Sequence, residues 1–364
     1  MAEVFSEPSL ITQVIEGKYR VEELIARGDR ALVFRAEQVP LGRTVALKVL
    51  RKPPTDADAR IDPESFQKRF FLEANTLSRL QHPNVVAMFD YGRFHAMGED
   101  AYFIAMEYIA GETLAQVLAK RRVEPLAAIG MLRQIARALR AAHGLKVIHR
   151  DLKPSNVMLA PGDAEPLVKV VDFGIVKVLS DDLEQLTRAG TMLGTPEYMP
   201  PEQIEGRAVD VRSDVYAFGT IFYEVLAGRT PFVGAQADVL SDQLRKPAPP
   251  LSVACPGLAL PPEVERFVMR CLEKSPADRP GDMDEVLSAL AVCEGALEAR
   301  EARSVPHSFA ASAPPPARSE PRLARRRSTR PPPPDRFALA AWVLFVVGML
   351  VLAIGLVRYF TAAG

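Results

Sequence analysis

Apolar runs between turn-forming residues predict several β-strands in the N-terminal third of the chain. Short runs rich in β-branched and aliphatic residues are typical of strands. Five such runs occupy residues 19–25, 31–36, 44–50, 85–89 and 101–107. Between the third and the fourth, large apolar residues recur at helical spacing, at Phe66, Phe70, Leu77 and Leu80. The pattern therefore predicts a β-rich N-terminal part that contains one helix.

After residue 107 the hydrophobic period becomes that of helices. One stripe steps by four and three, as a helix with a single buried face requires: Ala128, Leu132, Ile135, Leu139 and Ala142. The segment that begins near Asp214 is apolar on most faces, which predicts a helix at the centre of the larger part. Further helices are predicted over 263–271 and 284–290, and a short buried strand over 167–171.

The C-terminal end has a different pattern. From about residue 295 to 336 the periodicity gives way to Ala, Ser, Pro and Arg, which is typical of a disordered tether. Residues 337–357 follow as an uncharged run of ~21 residues, long enough as a helix to cross a bilayer, although a buried soluble helix is the alternative. Arginines cluster before this run and only Arg358 follows it, so the positive-inside rule places the N-terminal part in the cytoplasm. Those arginines also suit contact with anionic lipid.

Composition narrows the function only slightly. The chain has 364 residues and is 48% hydrophobic, enough for a large core. Lys+Arg and Asp+Glu are both 45, so no bulk charge argues for nucleic acid as a partner. Three widely spaced cysteines (Cys255, Cys271 and Cys293) indicate reduced thiols rather than a disulfide frame or a zinc site. The N-terminus lacks the basic start of a secretory signal.

The densest polar cluster lies between two apolar segments at residues 147–159, V-I-H-R-D-L-K-P-S-N-V-M-L. Packing has little use for so many polar side chains, whereas a site that handles a proton, a phosphate and a metal needs them. Asp151 can accept a hydroxyl proton, Lys153 can neutralise phosphate charge, and Asn156 can offer an oxygen ligand. A well-capped turn is the structural alternative, because Asp, Pro, Ser and Asn all form turns.

A lysine within an apolar strand is the second chemical signal. Lys48 stands in V-A-L-K-V-L, where an ammonium without an anionic partner would be costly to bury. The candidate partner is Glu73, on the predicted helix, while a lysine snorkelling from an edge strand is the alternative. Asp172-Phe-Gly follows the predicted strand 167–171, and an aspartate at such a place can face a cation.

These motifs, in this order, resemble those of the eukaryotic-like protein Ser/Thr kinases of bacteria, over roughly residues 19–290. The resemblance implies an α+β, two-lobed fold with ATP and magnesium in the cleft. It implies this division: an extension at 1–18, a kinase domain at 19–292 with an N-lobe (19–108) and a C-lobe (109–292), a linker at 293–336, a transmembrane helix at 337–357 and an extracytoplasmic tail at 358–364. Such a protein would lie at the bacterial inner membrane.

The resemblance also implies how ATP and Mg²⁺ are bound, with Mn²⁺ as a substitute ion. Lys48 would contact the α- and β-phosphates, Glu73 would hold Lys48, and Asn156 with Asp172 would bind the metal. Lys153 would stabilise the transferring phosphoryl group. Met106 would stand at the back of the pocket, although plain core suits it equally. The nucleotide contacts would come from the phosphate loop, the adenine pocket and the hinge backbone: Ile25, Ala26, Gly28, Val33, Ala46, Met106, Glu107, Ile109 and Met158.

Further positions match segments that regulate or brace kinases. Thr187 and Thr191 precede G-T-P-E-Y-M-P-P-E, and Arg150 offers a cation to a phosphate on either threonine. Asp214 would brace the catalytic-loop backbone, and a role as the N-cap of its own helix is the simpler interpretation and is compatible with the first. The other structural roles implied are Thr195 bonding to the catalytic aspartate and Lys153, Glu202 pairing with Arg279, and Phe173-Gly174 completing the D-F-G motif.

Two departures from the family pattern leave alternatives open. Ala26 and Ala31 stand where glycines are usual in the phosphate loop, and Pro200 replaces an alanine. The glycine-poor phosphate loop is the one feature that supports a pseudokinase, a nucleotide-binding scaffold without catalysis. A small-molecule phosphotransferase is a second alternative, which the segment 194–202 disfavours because it suits protein substrates with Ser/Thr acceptors. A homodimer through the membrane helix or the N-lobe is compatible with the sequence.

Overall fold

The computed structural model describes residues 10–28, 31–51, 63–96, 99–162, 165–173 and 195–304. The chain divides into a unit of residues 1–306 and a unit of residues 307–364, and all the described residues belong to the first. No helix in these ranges is both long enough and apolar enough to cross a bilayer. The predicted span 337–357 and the predicted tail lie outside the described residues.

An antiparallel sheet forms the N-terminal part. Its six strands lie in the order β1-β2-β3-β4-β6-β5. The one helix of this part, α1, follows β4 in the chain. The bounds are β1 Val14–Ile15, β2 Tyr19–Arg27, β3 Ala31–Gln38, β4 Arg43–Arg51, α1 Pro63–Ser78, β5 Met88–Ala96 and β6 Glu99–Glu107.

Alternation along β4 sends its side chains to two separate cores. Val45, Leu47 and Val49 are buried in a cluster on one face of the sheet. Ala46 and Leu50 lie in the main core on the other face, where Phe70 of α1 packs on Tyr102 at 4.9 Å between ring centroids. Because side chains alternate with a period of two, Lys48 points to the same side as Ala46 and Leu50.

The larger part is mainly helical and carries one small sheet, in the order β7-β8-β9. Its strands are β7 Glu112–Thr113, β8 Val157–Ala160 and β9 Leu167–Val170. The helices are α2 Leu114–Lys120, α3 Pro125–Gly144, α4 Pro201–Ile204, α5 Val211–Ala227, α6 Gln236–Arg245, α7 Leu251–Ala254, α8 Pro262–Cys271 and α9 Met283–Ser304, with 3₁₀ turns at Pro154–Asn156, Pro196–Tyr198 and Pro276–Asp278.

The predicted helical stripe of α3 is confirmed, because all five of its residues are buried. The helix after Asp214 is confirmed as well: α5 buries almost every side chain and lies at the centre of the helical part.

Two boundaries differ from the sequence prediction. Strand β5 begins at Met88 rather than at residue 85, because residues 84–86 bond to β9 instead: Val170 N donates to Asn84 O at 2.8 Å and Val86 N donates to Val170 O at 3.0 Å. Helix α9 runs to Ser304, past the predicted domain end at 292. Cys293 and Leu297 in its extra turns are buried. This packing stabilises the helix beyond residue 292 in a segment rich in Ala and Glu.

Candidate active site

The catalytic loop connects the end of α3 to β8, and a 3₁₀ turn closes it. Asn156, in that turn, donates from Nδ2 to the Asp151 carbonyl at 2.8 Å and to Asp151 Oδ2 at 3.3 Å. Lys153 Nζ lies 3.1 Å from Asp151 Oδ2. The predicted catalytic residues Asp151, Lys153 and Asn156 are therefore brought together by contacts within one loop.

Asp214 holds the backbone of this loop through hydrogen bonds. Its carboxylate accepts from His149 N at 2.8 Å and from Arg150 N at 3.0 Å, and His143 Nε2 lies 2.7 Å from the same group. Arg150 has φ of 62°, a left-handed conformation that residues with a side chain rarely adopt. The hydrogen bonds from the two backbone amides to Asp214 therefore stabilise a strained turn. The bracing role predicted for Asp214 is confirmed.

The second role predicted for Asp214, as the N-cap of its own helix, is wrong. Helix α5 begins at Val211, and Asp210 is the N-cap, accepting from Arg212 N at 2.8 Å. Asp214 lies one turn inside the helix, so its carboxylate faces the catalytic loop instead.

His149 joins the catalytic loop to the D-F-G motif, although the sequence assigned it no separate role. Its ring is fully buried and packs on Phe173 at 4.7 Å. Burial lowers its pKa, so the imidazole is neutral at pH 7. Asp151 N donates to Nδ1 at 3.3 Å, and Nε2 lies 3.1 Å from Val171 O, which fits a ring protonated on Nε2.

Lys48 finds its anionic partner in Asp172, not in Glu73. Lys48 Nζ lies 2.8 Å from Asp172 Oδ1, with only 13% of the lysine side chain exposed. The predicted Lys48–Glu73 pair is absent, and in the part of the chain described here Glu73 forms no ion pair. Asp172, which follows β9, already compensates the charge of Lys48. The alternative of a lysine that snorkels from an edge strand is wrong, because β4 is an inner strand.

A cavity opens beside this ion pair. Met106 and Phe173 line it together with Lys48 and Asp172, and Met106 also belongs to the main core. Three other residues predicted for the adenine pocket are not among those that line this cavity: Val33 lies on β3, Ala46 on β4 opposite Met106, and Met158 on β8. Ile25 and Ala26 lie in the exposed end of β2, Gly28 N donates to Ala31 O at 2.9 Å, and Ile109 follows β6.

The hinge residue Glu107 is held by a lysine that sequence reasoning missed. Lys169 Nζ donates to Glu107 Oε2 at 2.8 Å, and Ala87 N donates to the same oxygen at 3.2 Å. Lys169 is 9% exposed on β9. It stands in L-V-K-V, so the rule that singled out Lys48, an ammonium inside an apolar strand, could have found it.

Thr195 approaches the catalytic loop from the other side. Lys153 Nζ donates to Thr195 Oγ1 at 3.3 Å, so Lys153 bridges the threonine and Asp151. A second, small cavity is lined by Asp151, Lys153, Thr195 and Tyr198 among others, so Asp151 and Thr195 lie at the same depression of the surface.

The predicted pair of Glu202 and Arg279 is confirmed and bidentate. The two distances are 2.8 and 2.9 Å, and the Arg279 side chain is fully buried. Three further predicted residues, Gly174, Thr187 and Thr191, lie outside the described residues.

The donor set fits a hard divalent cation. The hydrogen bonds of the Asn156 amide use Nδ2, which leaves Oδ1 as a ligand, and Lys48 engages only one oxygen of Asp172. Val171 N donates to Asn156 O at 2.9 Å, which keeps the two candidate ligands in adjacent segments. An amide oxygen and a carboxylate oxygen, supplemented by phosphate and water, suit Mg²⁺.

Comparison with known proteins gives a consistent result. The protein kinase domain family matches residues 19–290. Serine/threonine-protein kinase pkn3 of Myxococcus xanthus is 40% identical over 353 residues, covering 93% of this chain and 62% of pkn3. PknA of Mycobacterium tuberculosis is 34% identical over 372 residues, covering 96% of this chain and 83% of PknA.

Solved structures agree. A double mutant of the Mycobacterium tuberculosis PknI kinase domain superposes with a TM-score of 0.60 at 27% identity, covering 78% of this chain and 98% of that domain. The chain spans 62% of pkn3 and only 34% of pkn2, another Myxococcus xanthus kinase. Because the family match spans most of the chain and the alignment covers most of PknA, this chain belongs to the protein kinase family and, within it, to the bacterial serine/threonine-protein kinases.

Proposed function

We propose that the protein transfers the γ-phosphate of ATP to Ser or Thr hydroxyls of protein substrates. One observation carries the proposal: Lys153 contacts both Asp151 and Thr195, while Lys48 of the sheet reaches Asp172. Lys48 and Asp172, which are more than a hundred positions apart, would thus face a nucleotide, while Lys153 and Thr195 would face an acceptor. Relatives named serine/threonine-protein kinases support the same activity.

The catalytic loop would act on the acceptor hydroxyl. Asp151 would take the hydroxyl proton as the oxygen bonds to the γ-phosphorus, and the bond from that phosphorus to the leaving ADP oxygen would break. Lys153, already beside Asp151, would neutralise charge on the transferring group. Catalysis would consist mainly of positioning and charge compensation.

The other half of the cleft would hold the nucleotide. Lys48 would bind the phosphates, and the backbone groups of Glu107 and Ile109 would bond to adenine. Asn156 and Asp172 would hold Mg²⁺, or Mn²⁺ in its place, and the bound ion would neutralise phosphate oxygens.

A transfer assay with three proteins tests the proposal. Radiolabelled ATP and myelin basic protein, a general acceptor, are incubated with the wild type, Asp151→Asn and Asp238→Asn. Loss of the base is expected to lower the rate by about 10²- to 10⁴-fold. The control Asp238→Asn changes an exposed carboxylate of α6 and should match the wild type. A wild type that binds ATP but transfers nothing would favour the pseudokinase alternative.

Autophosphorylation is a further part of the proposal. A phosphate on Thr187 or Thr191 would carry about two negative charges, for which Arg150 of the catalytic loop would supply a cation, and this pairing would order the segment. Purified protein with both threonines changed to alanine should be nearly inactive, with mass spectrometry showing the phosphate lost from that segment. Full activity of the double variant would contradict this regulation.

The location of the protein in the cell is proposed from the sequence alone. The uncharged run 337–357 and the arginines before it suit a single-pass anchor in the inner membrane of a bacterium, in contact with anionic lipid and with the kinase domain in the cytoplasm. A homodimer through this anchor or through the N-lobe is compatible with such an arrangement.

A further inference from the structure

A buried glutamine holds the backbone of the segment that follows Thr195. Gln243 lies on α6 and is 1% exposed. Its Nε2 donates to Glu197 O at 2.6 Å and to Pro196 O at 3.2 Å. Both carbonyls belong to the 3₁₀ turn Pro196–Tyr198, so one side chain from a different helix fixes this turn.

Two more side chains extend the chain of hydrogen bonds from Gln243 away from the turn. The hydroxyl of Tyr216, a fully buried residue of α5, donates to Gln243 Oε1. Lys274 Nζ donates in turn to that hydroxyl oxygen at 3.2 Å, and it also lies 4.5 Å from the centre of the Phe232 ring. Lys274, Tyr216 and Gln243 form one chain of hydrogen bonds, called here the Gln243 relay.

The chemistry of its members permits only one direction for the Gln243 relay. An ammonium can only donate and a backbone carbonyl can only accept, so the two ends are fixed. Tyr216 must accept from Lys274 and give its own proton to Gln243 Oε1, which turns Nε2 toward the carbonyls of Pro196 and Glu197.

The protonation states needed for this direction are present at neutral pH. Burial raises the pKa of Tyr216, so its hydroxyl keeps the proton that it donates. Burial also lowers the pKa of Lys274, to about 8, which leaves most of the ammonium charged at pH 7. The amide of Gln243 is therefore oriented by its neighbours and not only by the turn that it binds.

The turn held in this way adjoins the acceptor side of the catalytic loop. Thr195, which accepts from Lys153, is the residue directly before it. Tyr198, the last residue of the turn, lines the same cavity as Asp151 and Lys153, and it donates to Glu224 at 2.6 Å. A shift of the turn would move Thr195 and the wall of this cavity together.

We propose that Gln243 is a positioning residue for phosphate transfer: through the Gln243 relay it sets where the acceptor segment lies relative to Asp151. This role rests on the proposed kinase activity. The three residues of the relay do not line the other cavity, which is lined by Lys48, Met106 and Asp172 among others. Losing the relay should therefore impair use of the acceptor and leave ATP binding intact.

The experiment measures both substrates separately in the full chain. Gln243→Leu removes the amide, and Gln243→Glu keeps its shape but replaces the donor by an acceptor. Gln236→Leu makes the same change at an exposed glutamine of the same helix and is the matched control. With myelin basic protein as acceptor, kcat/KM for the acceptor should fall about 10- to 100-fold in both Gln243 variants, while KM for ATP changes less than about twofold.

A second substitution keeps the test informative if these variants fold poorly. Tyr216→Phe removes one oxygen atom and leaves Gln243 in place, so acceptor kcat/KM should fall in the same direction with ATP KM unchanged. Added to Gln243→Leu, it should lower acceptor kcat/KM no further, because both changes break one relay.

Three results would overturn the inference. The first is acceptor kinetics in Gln243→Leu, or in Tyr216→Phe, equal to those of Gln236→Leu. The second is a rise in KM for ATP as large as the fall in acceptor kcat/KM, which would mean that the substitution disrupts the whole active site and does not act through positioning of the acceptor. The third is a wild type that transfers no phosphate, which would refute the proposed activity itself and this role with it.

Discussion

The buried pair of Glu202 and Arg279 allows a quantitative prediction for Glu202→Gln. The substitution preserves the shape of the side chain and removes its charge. Arg279 then keeps its other acceptors, the carbonyls of Arg212, Glu273 and Lys274, at 3.0, 2.7 and 3.0 Å. Those carbonyls are dipoles and carry no net charge, so the variant buries a guanidinium without its counter-ion.

The expected loss of stability follows from that uncompensated charge. Breaking one partner of a buried ion pair destabilises by about 3–5 kcal/mol. Ser213 Oγ, which donates to Glu202 Oε1 at 2.7 Å, loses a charged acceptor as well. At about 2–4 °C per kcal/mol for a domain of this size, the melting temperature should fall by roughly 6–20 °C.

The assay is thermal unfolding followed by circular dichroism, with a surface pair as control. Arg140 and Asp284 lie 3.0 Å apart with side chains 50% and 71% exposed. Solvent screens such a pair, so Asp284→Asn should change the free energy of unfolding by less than about 1 kcal/mol. If Glu202→Gln lowers the melting temperature no more than Asp284→Asn does, the argument from the buried charge is wrong.

The pKa of the Glu202 carboxylate determines how the difference in melting temperature between the wild type and Glu202→Gln depends on pH. Burial alone would raise the pKa of Glu202, but hydrogen bonds from Arg279 and Ser213 outweigh burial and the pKa lies below its ordinary value of 4.5. A depressed folded-state pKa gives stability that is fully present above the unfolded pKa and is lost as the pH falls through the folded one. The gap in melting temperature between the wild type and Glu202→Gln should therefore be constant near pH 7 and narrow below about pH 4.5.

Three further predictions concern the cleft, the packing of the small sheet and the anchor. Lys48→Met should lower phosphate transfer by about 10²-fold or more and weaken ATP binding measured by calorimetry, because it removes the cation beside Asp172; unchanged ATP affinity would contradict that role. Gly111→Ala should destabilise by at least about 1–3 kcal/mol in chemical denaturation, since an added Cβ would stand 2.1 Å from Leu159 O, and a neutral result would refute this close approach. Deleting residues 337–364 should move the protein from the membrane fraction to the supernatant; a membrane fraction that is unaffected would remove the anchor.

Much of the fold could be predicted from local patterns along the chain. The stripe from Ala128 to Ala142 specified α3, because a period of 3.6 residues defines one buried face whatever that face packs on. The catalytic loop was predicted as well, since Asp151, Lys153 and Asn156 lie within six positions and their contacts are local. The end of α9 was missed, because its helical extension depends on a neighbouring surface that periodicity does not describe.

Patterns along the sequence define which chemical groups are available and which faces of each element are apolar. The sequence required an anionic partner for Lys48, because a buried ammonium must be compensated, but the partner predicted was Glu73, and only the fold brought Asp172 to 2.8 Å. The fold likewise decided that Asp214 faces two amides of the catalytic loop, and that Gln243 reaches the turn after Thr195. These contacts join residues that are 46 to 124 positions apart, and the geometry between such residues is set by how helices and strands pack, which no local pattern encodes.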